Sequence, residues 1–443
     1  MCLENNNLNG TIPSELGLLT ELEYLGLRLG ALRGVIPDAL RRLTKLTHLS
    51  LYNNALSGAL PEWFGELGQL QELALGNNML EGTLPQVLGR FSDQMTLLAV
   101  DDNLLYGDIQ VLNQLTKLQT LYLEKNDFQD TIDGTTFQGF ARLAQLDISN
   151  NRFNGTLPVE WFDLTNLAGL KILDLHANQI AGSIPELIPD NNKLQVLAAH
   201  RNLLNGTIPE SMGNFRDLDY VDFTLNPLFG TIPDLFGSYT RLEYLMLAGI
   251  PFEPGPIPES FRNISTLRDL SLKATQRTGT LPTWLGELPR LILLDLDSND
   301  FNGTIPTELG DILSLNFLLL NRNNLNGQVP ATLDGAGTLR KFVTNVTCDR
   351  YLSNLTQQVC HSELLMIEAN SITGTVEFLC SNQLTTYADC GGPVPEVPNC
   401  TCCVCCIDGT PCHESDFLAT YNPSDDTDYF RNTYQFVDLN ITR

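Results

Sequence analysis

Long apolar runs and basic residues are scarce in this chain. No stretch of 18 or more apolar residues occurs, so no transmembrane helix is predicted. Lys and Arg total 26 against 52 Asp and Glu, giving a net charge of −26. This balance argues against nucleic acid or an anionic membrane as a partner, because both repel a strongly acidic surface. No cofactor is predicted either.

The start of the chain lacks a signal peptide and a polar cap. Met1 and Cys2 run directly into a repeat that begins at Leu3. An uncapped first coil would expose core leucines, so we expect a fragment whose cap and targeting segment are missing. Cys2 is left over once the other cysteines are paired, which suggests a lost N-terminal partner.

What the chain does have is a repeat of about 24 residues, running from Leu3 to Val376. The stretch from Leu46 to Pro61 follows the pattern LxxLxLxxNxLxGx(I/L)P. Its LxxLxL part alternates apolar and polar residues and suits a strand with one buried face. The spacing predicts a β-rich leucine-rich repeat solenoid, α/β by convention, of about 16 coils with a parallel sheet.

The asparagine of the pattern defines a position that we call the ladder position. Its amide both donates and accepts, so it can bond turn backbone groups of its own coil and a neighbouring one. We therefore interpret these residues as structural. The predicted ladder asparagines are Asn54, Asn78, Asn103, Asn126, Asn151, Asn178, Asn202, Asn226, Asn299 and Asn323.

A cysteine-dense block follows the last repeat. Thiolates at this spacing could bind zinc or copper, but a Pro- and Gly-rich segment after the last coil is typical of a disulfide-stapled cap in a secreted protein. We favour disulfides, with unknown connectivity. The residues concerned are Cys348, Cys360, Cys380, Cys390, Cys400, Cys402, Cys403, Cys405, Cys406 and Cys412. The predicted organisation is a solenoid over 1–376, a cap over 377–412 and an acidic flexible tail over 413–443.

Glycosylation sequons agree with an extracellular or cell-surface protein, although several are the repeat's own NGT element. They occur at Asn9, Asn154, Asn205, Asn263, Asn302, Asn345, Asn354, Asn399 and Asn440.

The (I/L)P element after the glycine, as in Gly206-Thr207-Ile208-Pro209, resembles the plant-type subclass of leucine-rich repeats. That subclass includes receptor-like kinase ectodomains, receptor-like proteins and polygalacturonase-inhibiting proteins. The cysteine-rich end is similar to predicted secreted algal repeat proteins. The resemblance implies a right-handed superhelix, a concave parallel sheet, a second short sheet, and ligand recognition without catalysis. Kinase motifs are absent from the sequence, so signalling would need a partner chain or co-receptor.

The expected concave face carries a candidate ligand site in its middle coils. Residues at two, four and six positions before the ladder position share one face of each strand and are expected to be solvent-facing. Aromatic, histidine and carboxylate side chains together suit a protein, peptide or glycan ligand. The predicted site consists of Asp147, Asp174, His176, His200, Tyr220, Asp222 and Tyr244.

Other interpretations remain open. The same face could be merely solvated, and His176, His200 and Asp174 could hold a metal, although the spacing dictates no third rigid ligand. Paired carboxylates on an open surface are poor candidates for hydrolysis. The protein could instead inhibit a wall-degrading glycosidase. A threonine column before (I/L)P could bind ice or a wall polysaccharide, and its members are Thr11, Thr83, Thr156, Thr207, Thr231, Thr280 and Thr304.

Overall fold

The computed structural model describes residues 1–3, 6, 8–162, 167–190, 192–320, 322–328 and 330–335, with four later strands at 364–366, 371–373, 385–389 and 404–406. The chain divides into two compact units. The first comprises Met1–Tyr220 and Asn226–Leu228, and the second comprises Val221–Leu225 and Phe229–Arg443. The four later strands are described by their backbone alone.

A parallel main sheet with one strand per coil forms each unit. In the first unit its strands are Tyr24–Gly26, His48–Ser50, Glu72–Ala74, Leu97–Ala99, Thr120–Tyr122, Gln145–Asp147, Ile172–Asp174 and Val196–Ala198. In the second unit they are Tyr244–Met246, Asp269–Ser271, Leu293–Asp295, Phe317–Leu319, Leu364–Met366, Thr385–Asp389 and Val404–Cys406. The strand Tyr220–Asp222 contains the division between the units.

Pairing in the main sheet is in register with the repeat. Leu25 lies opposite Leu49, and Leu49 lies opposite Leu73. These leucines are buried, as the alternation of the LxxLxL pattern predicts. Equivalent apolar side chains therefore stack from coil to coil, and each coil buries its core face against its neighbours.

Short second-sheet strands follow the ladder position. Six pair in sequence in the first unit, namely Asn9–Gly10, Ala31–Gly34, Ala55–Ala59, Met79–Gly82, Leu104–Gly107 and Asp127–Phe128. Thr131–Ile132 pairs with Asn154–Gly155, and Ala181–Ser183 pairs with Leu203–Asn205. The second unit has Thr278–Thr280, Asp300–Gly303, Asn324–Gln328 and Ser371–Thr373.

A short 3-10 helix completes most coils. These helices are Ser14–Leu18, Asp38–Arg42, Glu62–Glu66, Gln86–Phe91, Gln110–Gln114, Val159–Trp161 and Glu210–Asn214 in the first unit. The second unit has Asp234–Ser238, Glu259–Asn263, Thr283–Glu287 and Thr307–Asp311, and one α-helix, Thr332–Gly335.

The proline of the (I/L)P element starts the 3-10 helix. Pro61 has a φ of −68°, and its carbonyl accepts a hydrogen bond of 3.1 Å from the Phe64 N–H. The pyrrolidine ring fixes φ near this value, and a residue outside the helix needs no N–H donor, so proline costs nothing there. The element therefore works as a helix start, which explains why it recurs once per coil.

Two positions in the repeat adopt the left-handed backbone conformation. Gly58, the glycine of the pattern, has a φ of +85°, which glycine adopts without a side-chain clash. Asn53, directly before the ladder position, has a φ of +55°. Non-glycine residues recur at this second position, where asparagine and aspartate are the best tolerated.

The irregular Pro-rich coil after Ile250 is secured by a buried arginine. Arg277 donates from Nε to the Thr275 carbonyl at 3.1 Å and from Nη1 to the Pro256 carbonyl at 3.2 Å. A third bond runs from Nη2 to the Glu253 carbonyl. Burial lowers the pKa of Arg277, and the three carbonyls satisfy its guanidinium where water is excluded.

Candidate functional site

The ladder asparagines bind backbone groups and are not available to a ligand. Asn202 donates to the carbonyls of Leu175 at 2.9 Å and Ala199 at 3.2 Å, and accepts from the Ile180 N–H at 3.0 Å. The other nine asparagines of the set each donate to a carbonyl of the preceding coil in the same way. At Thr275 the hydroxyl takes over part of this role by donating to the Leu272 carbonyl at 2.6 Å.

The seven predicted ligand-binding residues are divided between the units. Five of them, Asp147, Asp174, His176, His200 and Tyr220, belong to the first unit, and Asp222 and Tyr244 belong to the second. The expectation that all of them face solvent is wrong, because only Asp147 is half-buried and the other six are buried. The physical reason is the strand spacing of ~4.8 Å, at which large side chains in one column cover each other.

Asp174 and His176 form the centre of the site in the first unit. The Asp174 Oδ1 atom accepts hydrogen bonds from His176 Nδ1 at 2.7 Å and from the His176 backbone N–H at 3.1 Å. On its other edge, His176 Nε2 lies 2.7 Å from Asn150 Nδ2. This geometry fits an imidazole that carries its proton on Nδ1 and accepts from the asparagine amide.

Asn150 is placed for this contact by its backbone. It lies directly before the ladder position and has a φ of +49°, a conformation that asparagine tolerates better than most residues. This turn brings its side chain over His176, which lies on the following coil. Sequence columns counted along the strands did not include Asn150, because it lies after the strand has ended.

The His200 ring stacks on the His176 ring. The ring centroids lie 4.3 Å apart and the planes differ by 9°. The register of the main sheet produces this arrangement, because Asp174 pairs with Ala198 and each histidine follows two residues later. Stacking keeps both imidazoles in one orientation and limits their exposure to a single edge.

Half-buried residues provide the accessible polar atoms of the first unit's face. The Tyr122 hydroxyl donates to Gln145. The Asp147 carboxylate accepts from the Ser149 N–H at 2.9 Å. Asn150, also half-buried, contacts His176, and a ligand would reach these half-buried side chains more readily than the buried histidines.

An aspartate recurs four residues before the ladder position in several coils, where it is the last residue of the main-sheet strand. Asp147, Asp174, Asp222 and Asp295 each accept a hydrogen bond from the backbone N–H two residues later. In the second unit this bond fixes Asp222, which is fully buried. Part of the carboxylate content of the predicted site is therefore structural.

Tyr244, also in the second unit, is a core-like residue. Its ring is 1% exposed, and the Arg268 guanidinium lies 5.6 Å from the ring centroid. This separation is within the range of a cation–π interaction.

The second unit carries a charged cluster that the sequence did not single out. Asp297 accepts from Arg322 Nε at 2.9 Å and lies 3.4 Å from Lys273 Nζ. Ser271 donates from its hydroxyl to Asp295 Oδ2 at 3.0 Å. The strand columns contain four of these residues, but Arg322 lies directly before the ladder position with a φ of +53°, so strand counting missed it.

Asp295 has a perturbed ionisation within this cluster. Burial, and then the neighbouring negative charge of Asp297, raise its pKa from 3.8 to about 6. Lys273 and the Ser271 hydroxyl act in the opposite direction, but they do not cancel the loss of hydration. Among the described residues, no group of three or more His, Cys, Asp or Glu side chains is suited to a metal ion.

The predicted sequons, threonine column and disulfide cysteines can be located only in part. The described sequon asparagines Asn9, Asn154, Asn205, Asn263 and Asn302 are exposed, as are all seven threonines of the predicted column. Asn345, Asn354, Asn399 and Asn440 lie outside the described residues. So do the predicted disulfide cysteines, except that Cys405 and Cys406 belong to a described strand.

Comparison with known proteins identifies the repeat. The leucine rich repeat family matches residues 20–80 and 116–180. Receptor-like protein 53 of Arabidopsis thaliana is 51% identical over 51 residues, which is 12% of this chain and 5% of that protein. Receptor-like protein 35 of the same plant is 42% identical over 74 residues, 16% of this chain and 7% of that protein.

Solved structures match most of the chain. The plant peptide hormone receptor RGFR1 in complex with RGF2 gives a TM-score of 0.72 at 30% identity, covering 88% of this chain and 63% of that one. The Arabidopsis receptor kinase HAESA, in complex with the peptide hormone IDA and the co-receptor SERK1, gives 0.68 at 27% identity. That match covers 88% of this chain and 66% of the receptor. The chain is a plant-type leucine-rich repeat protein.

This plant-type repeat protein spans less than two thirds of the length of the two receptor-like proteins and of RGFR1. Its similarity to them is a similarity to receptor ectodomains and receptor-like proteins. Within the described residues, no helix has the length and apolar character needed to cross a bilayer.

Proposed function

We propose that this chain is a ligand-binding ectodomain that recognises an extracellular peptide on the main-sheet face of its first unit. The observation that carries the proposal is the Asp174–His176–His200–Asn150 network, whose bonds and stacked rings fix the surface above it. Pre-organised polar groups suit peptide recognition, because less side-chain entropy is lost on binding. Similarity to two receptors solved with peptide hormones over 88% of the chain supports a peptide as the ligand.

The proposed contact residues are the half-buried ones. Asp147 can accept from a peptide N–H or pair with a basic side chain, and Asn150 and Gln145 can bond peptide backbone. His176 and His200 act beneath them by holding this surface in place. A role without catalysis is consistent with the face, because it offers no nucleophile held by a base. Secretion, glycosylation and a disulfide-bonded cap belong to the same proposal, with a co-receptor chain supplying any signalling.

Binding should be tested on the accessible residues, because replacing buried ones would also disturb folding. The full chain would be screened against a synthetic library of secreted plant peptides and against a glycan array. For a peptide hit, Asp147→Asn combined with Asn150→Ala should weaken affinity at least about tenfold, or about 1.4 kcal/mol. Glu62→Gln, an exposed change on a 3-10 helix, is the matched control and should leave affinity unchanged.

Three outcomes would overturn the proposal. Equal affinity of the double variant and the wild type would move the site off this face. Binding confined to polymeric glycans would favour a wall-associated protein over a peptide receptor. Tight binding of a purified polygalacturonase, with loss of its activity, would instead favour the inhibitor interpretation.

A further inference from the structure

The second sheet of the first unit has five consecutive coils without a sequon. Sequon asparagines stand three residues after the ladder position at Asn9 and Asn154. In the five coils between them, the same position holds Arg33, Ser57, Glu81, Tyr106 and Gln129. We call the second-sheet surface of these coils, residues 31–35, 55–59, 79–83, 104–108 and 127–131, the sequon-free window.

Four exposed apolar side chains lie in this window. Val35, Met79, Leu104 and Tyr106 are 63%, 48%, 60% and 51% exposed. The pairing of Met79–Gly82 with Leu104–Gly107 places Met79, Leu104 and Tyr106 on adjacent strands, whereas Val35 follows a strand two coils before Met79. Neighbouring exposed apolar residues, in contrast to scattered ones, mark an interaction surface.

The window is self-complementary about its middle coil. Ala55, Ser57 and Ala59 occupy the coil before Met79, and the larger Leu104 and Tyr106 occupy the coil after it. A two-fold axis through the Met79 coil would therefore seat the large side chains of each copy on the small ones of the other.

Charges at the ends of the window are also complementary under this axis. The first coil of the window carries Arg33, for which the described residues show no ion pair, and the last carries Asp130 beside Asp127, which pairs with Arg152. Asp130 is half-buried and accepts hydrogen bonds from the Ile109 N–H at 3.1 Å and from Gln110 Nε2 at 2.9 Å. The axis brings each arginine to the acidic end of the other copy.

The two flanking sequons are placed symmetrically about the Met79 coil. Asn9 lies three coils before the Met79 coil and Asn154 lies three coils after it. Glycans at these positions would stand just outside the contact at both ends, and none would lie within it. We propose that the sequon-free window is the contact surface of a homodimer, in which a second copy of this chain docks through the same window.

Size and charge predict a weak dimer. Five coils at ~4.8 Å and strands of about five residues at ~3.3 Å give a face of about 400 Å². A stable interface needs about 800 Å² from each partner, so this dimer should be weak and transient. Each copy carries a net charge of −26, and Glu81 lies near the axis in both. Salt should therefore strengthen the dimer, whereas it would weaken the binding of a basic partner.

A glycan introduced into the sequon-free window tests the homodimer directly. Glu81→Asn creates the sequon Asn-Gly-Thr with Gly82 and Thr83, at the strand position that Asn9 and Asn154 occupy. The full chain, secreted from a glycosylating host, would be followed by sedimentation velocity between about 0.1 M and about 1 M NaCl, over which the Debye length falls from about 10 to about 3 Å. We expect the wild type to dimerise more at high salt and glycosylated Glu81→Asn to stay monomeric.

Two controls separate the glycan from other effects. Glu81→Asn with Thr83→Val has the same asparagine but no sequon, and should dimerise at least as well as the wild type because a repulsive charge is gone. Thr278→Asn creates the same Asn-Gly-Thr sequon on a second-sheet strand of the second unit, and should leave the dimer intact. A wild type that stays monomeric at high salt, or a dimer abolished by Thr278→Asn and not by Glu81→Asn, would overturn the proposal. The outcome does not depend on ligand binding by the main-sheet face.

Discussion

The main-sheet faces of the two units use the same repeat positions for different chemistry. In the first unit, Asp174 and His176 stand four and two residues before the ladder position and join one carboxylate to an imidazole. In the second unit, Asp295 and Asp297 stand at those same positions and place two carboxylates together, with Arg322 as a counter-charge. The repeat therefore fixes where side chains lie, and the residue types decide whether a carboxylate meets an imidazole or a second carboxylate.

The difference predicts opposite behaviour towards pH and salt. Salt has little effect on the first unit's cluster, because hydrogen bonds and stacked rings hold it together. The stability of the second unit's cluster depends on protonation, because two like charges lie close together in a buried place. The first face is accordingly the better pre-formed surface for a ligand, and the second is the better candidate for a pH-dependent element.

The largest expected effect is the pH dependence caused by Asp295. Its pKa is raised from 3.8 to about 6, so the folded chain binds this proton more tightly than the unfolded chain does. The stabilisation is complete below the unfolded pKa and is lost as the pH rises through about 6. Two pKa units correspond to about 3 kcal/mol at most. Denaturant unfolding followed at several pH values should show stability decreasing across this window.

Asp295→Asn should remove this slope, because asparagine does not titrate. The matched control is Asp300→Asn, an exposed carboxylate in the same unit, which should leave the slope unchanged. A slope that persists in Asp295→Asn would show that another group is responsible.

The next effect compares two aspartates of the first unit. Asp174→Ala removes the acceptor of both the His176 ring and its backbone N–H in a buried site. The expected loss is about 1–3 kcal/mol, because buried donors are left unsatisfied. Asp147→Ala removes the acceptor of the Ser149 N–H at a half-buried position and should cost about 1 kcal/mol or less. Chemical denaturation of both variants gives the comparison, and equal losses would contradict the assignment of Asp174 as the centre.

The smallest effect is the coupling between the stacked histidines. A double-mutant cycle of His176→Ala and His200→Ala should give a coupling energy of about 0.5–1.5 kcal/mol, the range for paired rings. Thermal or denaturant unfolding of the four proteins measures it. Additive losses would mean that the 4.3 Å stacking contributes nothing beyond the burial of each ring.

Much of the fold could be predicted from the sequence. The repeat spacing indicates the strands, the buried leucines and the ladder asparagines, because each depends on a local periodicity that recurs from coil to coil. The lateral proximity of His176 and His200 also follows from spacing, since parallel strands in register bring equivalent positions together.

The site itself was only partly predictable. Counting positions back from the ladder position ignores the volume of neighbouring side chains. It therefore predicted that Asp174 and His200 face solvent, whereas both are buried. It also ignores the left-handed residue before the ladder position, and so missed both Asn150 and Arg322. These side chains reach the clusters from outside the strands. A search for polar residues directly before each ladder asparagine would have found them.

The most direct test of the account is a hydrogen–deuterium exchange footprint of a peptide hit bound to the full chain. We predict protection in the strands Gln145–Asp147 and Ile172–Asp174 and in the turn that contains Asn150, with no change in the 3-10 helices. Protection confined to the 3-10 helices or to the second-sheet strands, with the main-sheet strands unchanged, would contradict recognition by the first unit's main-sheet face.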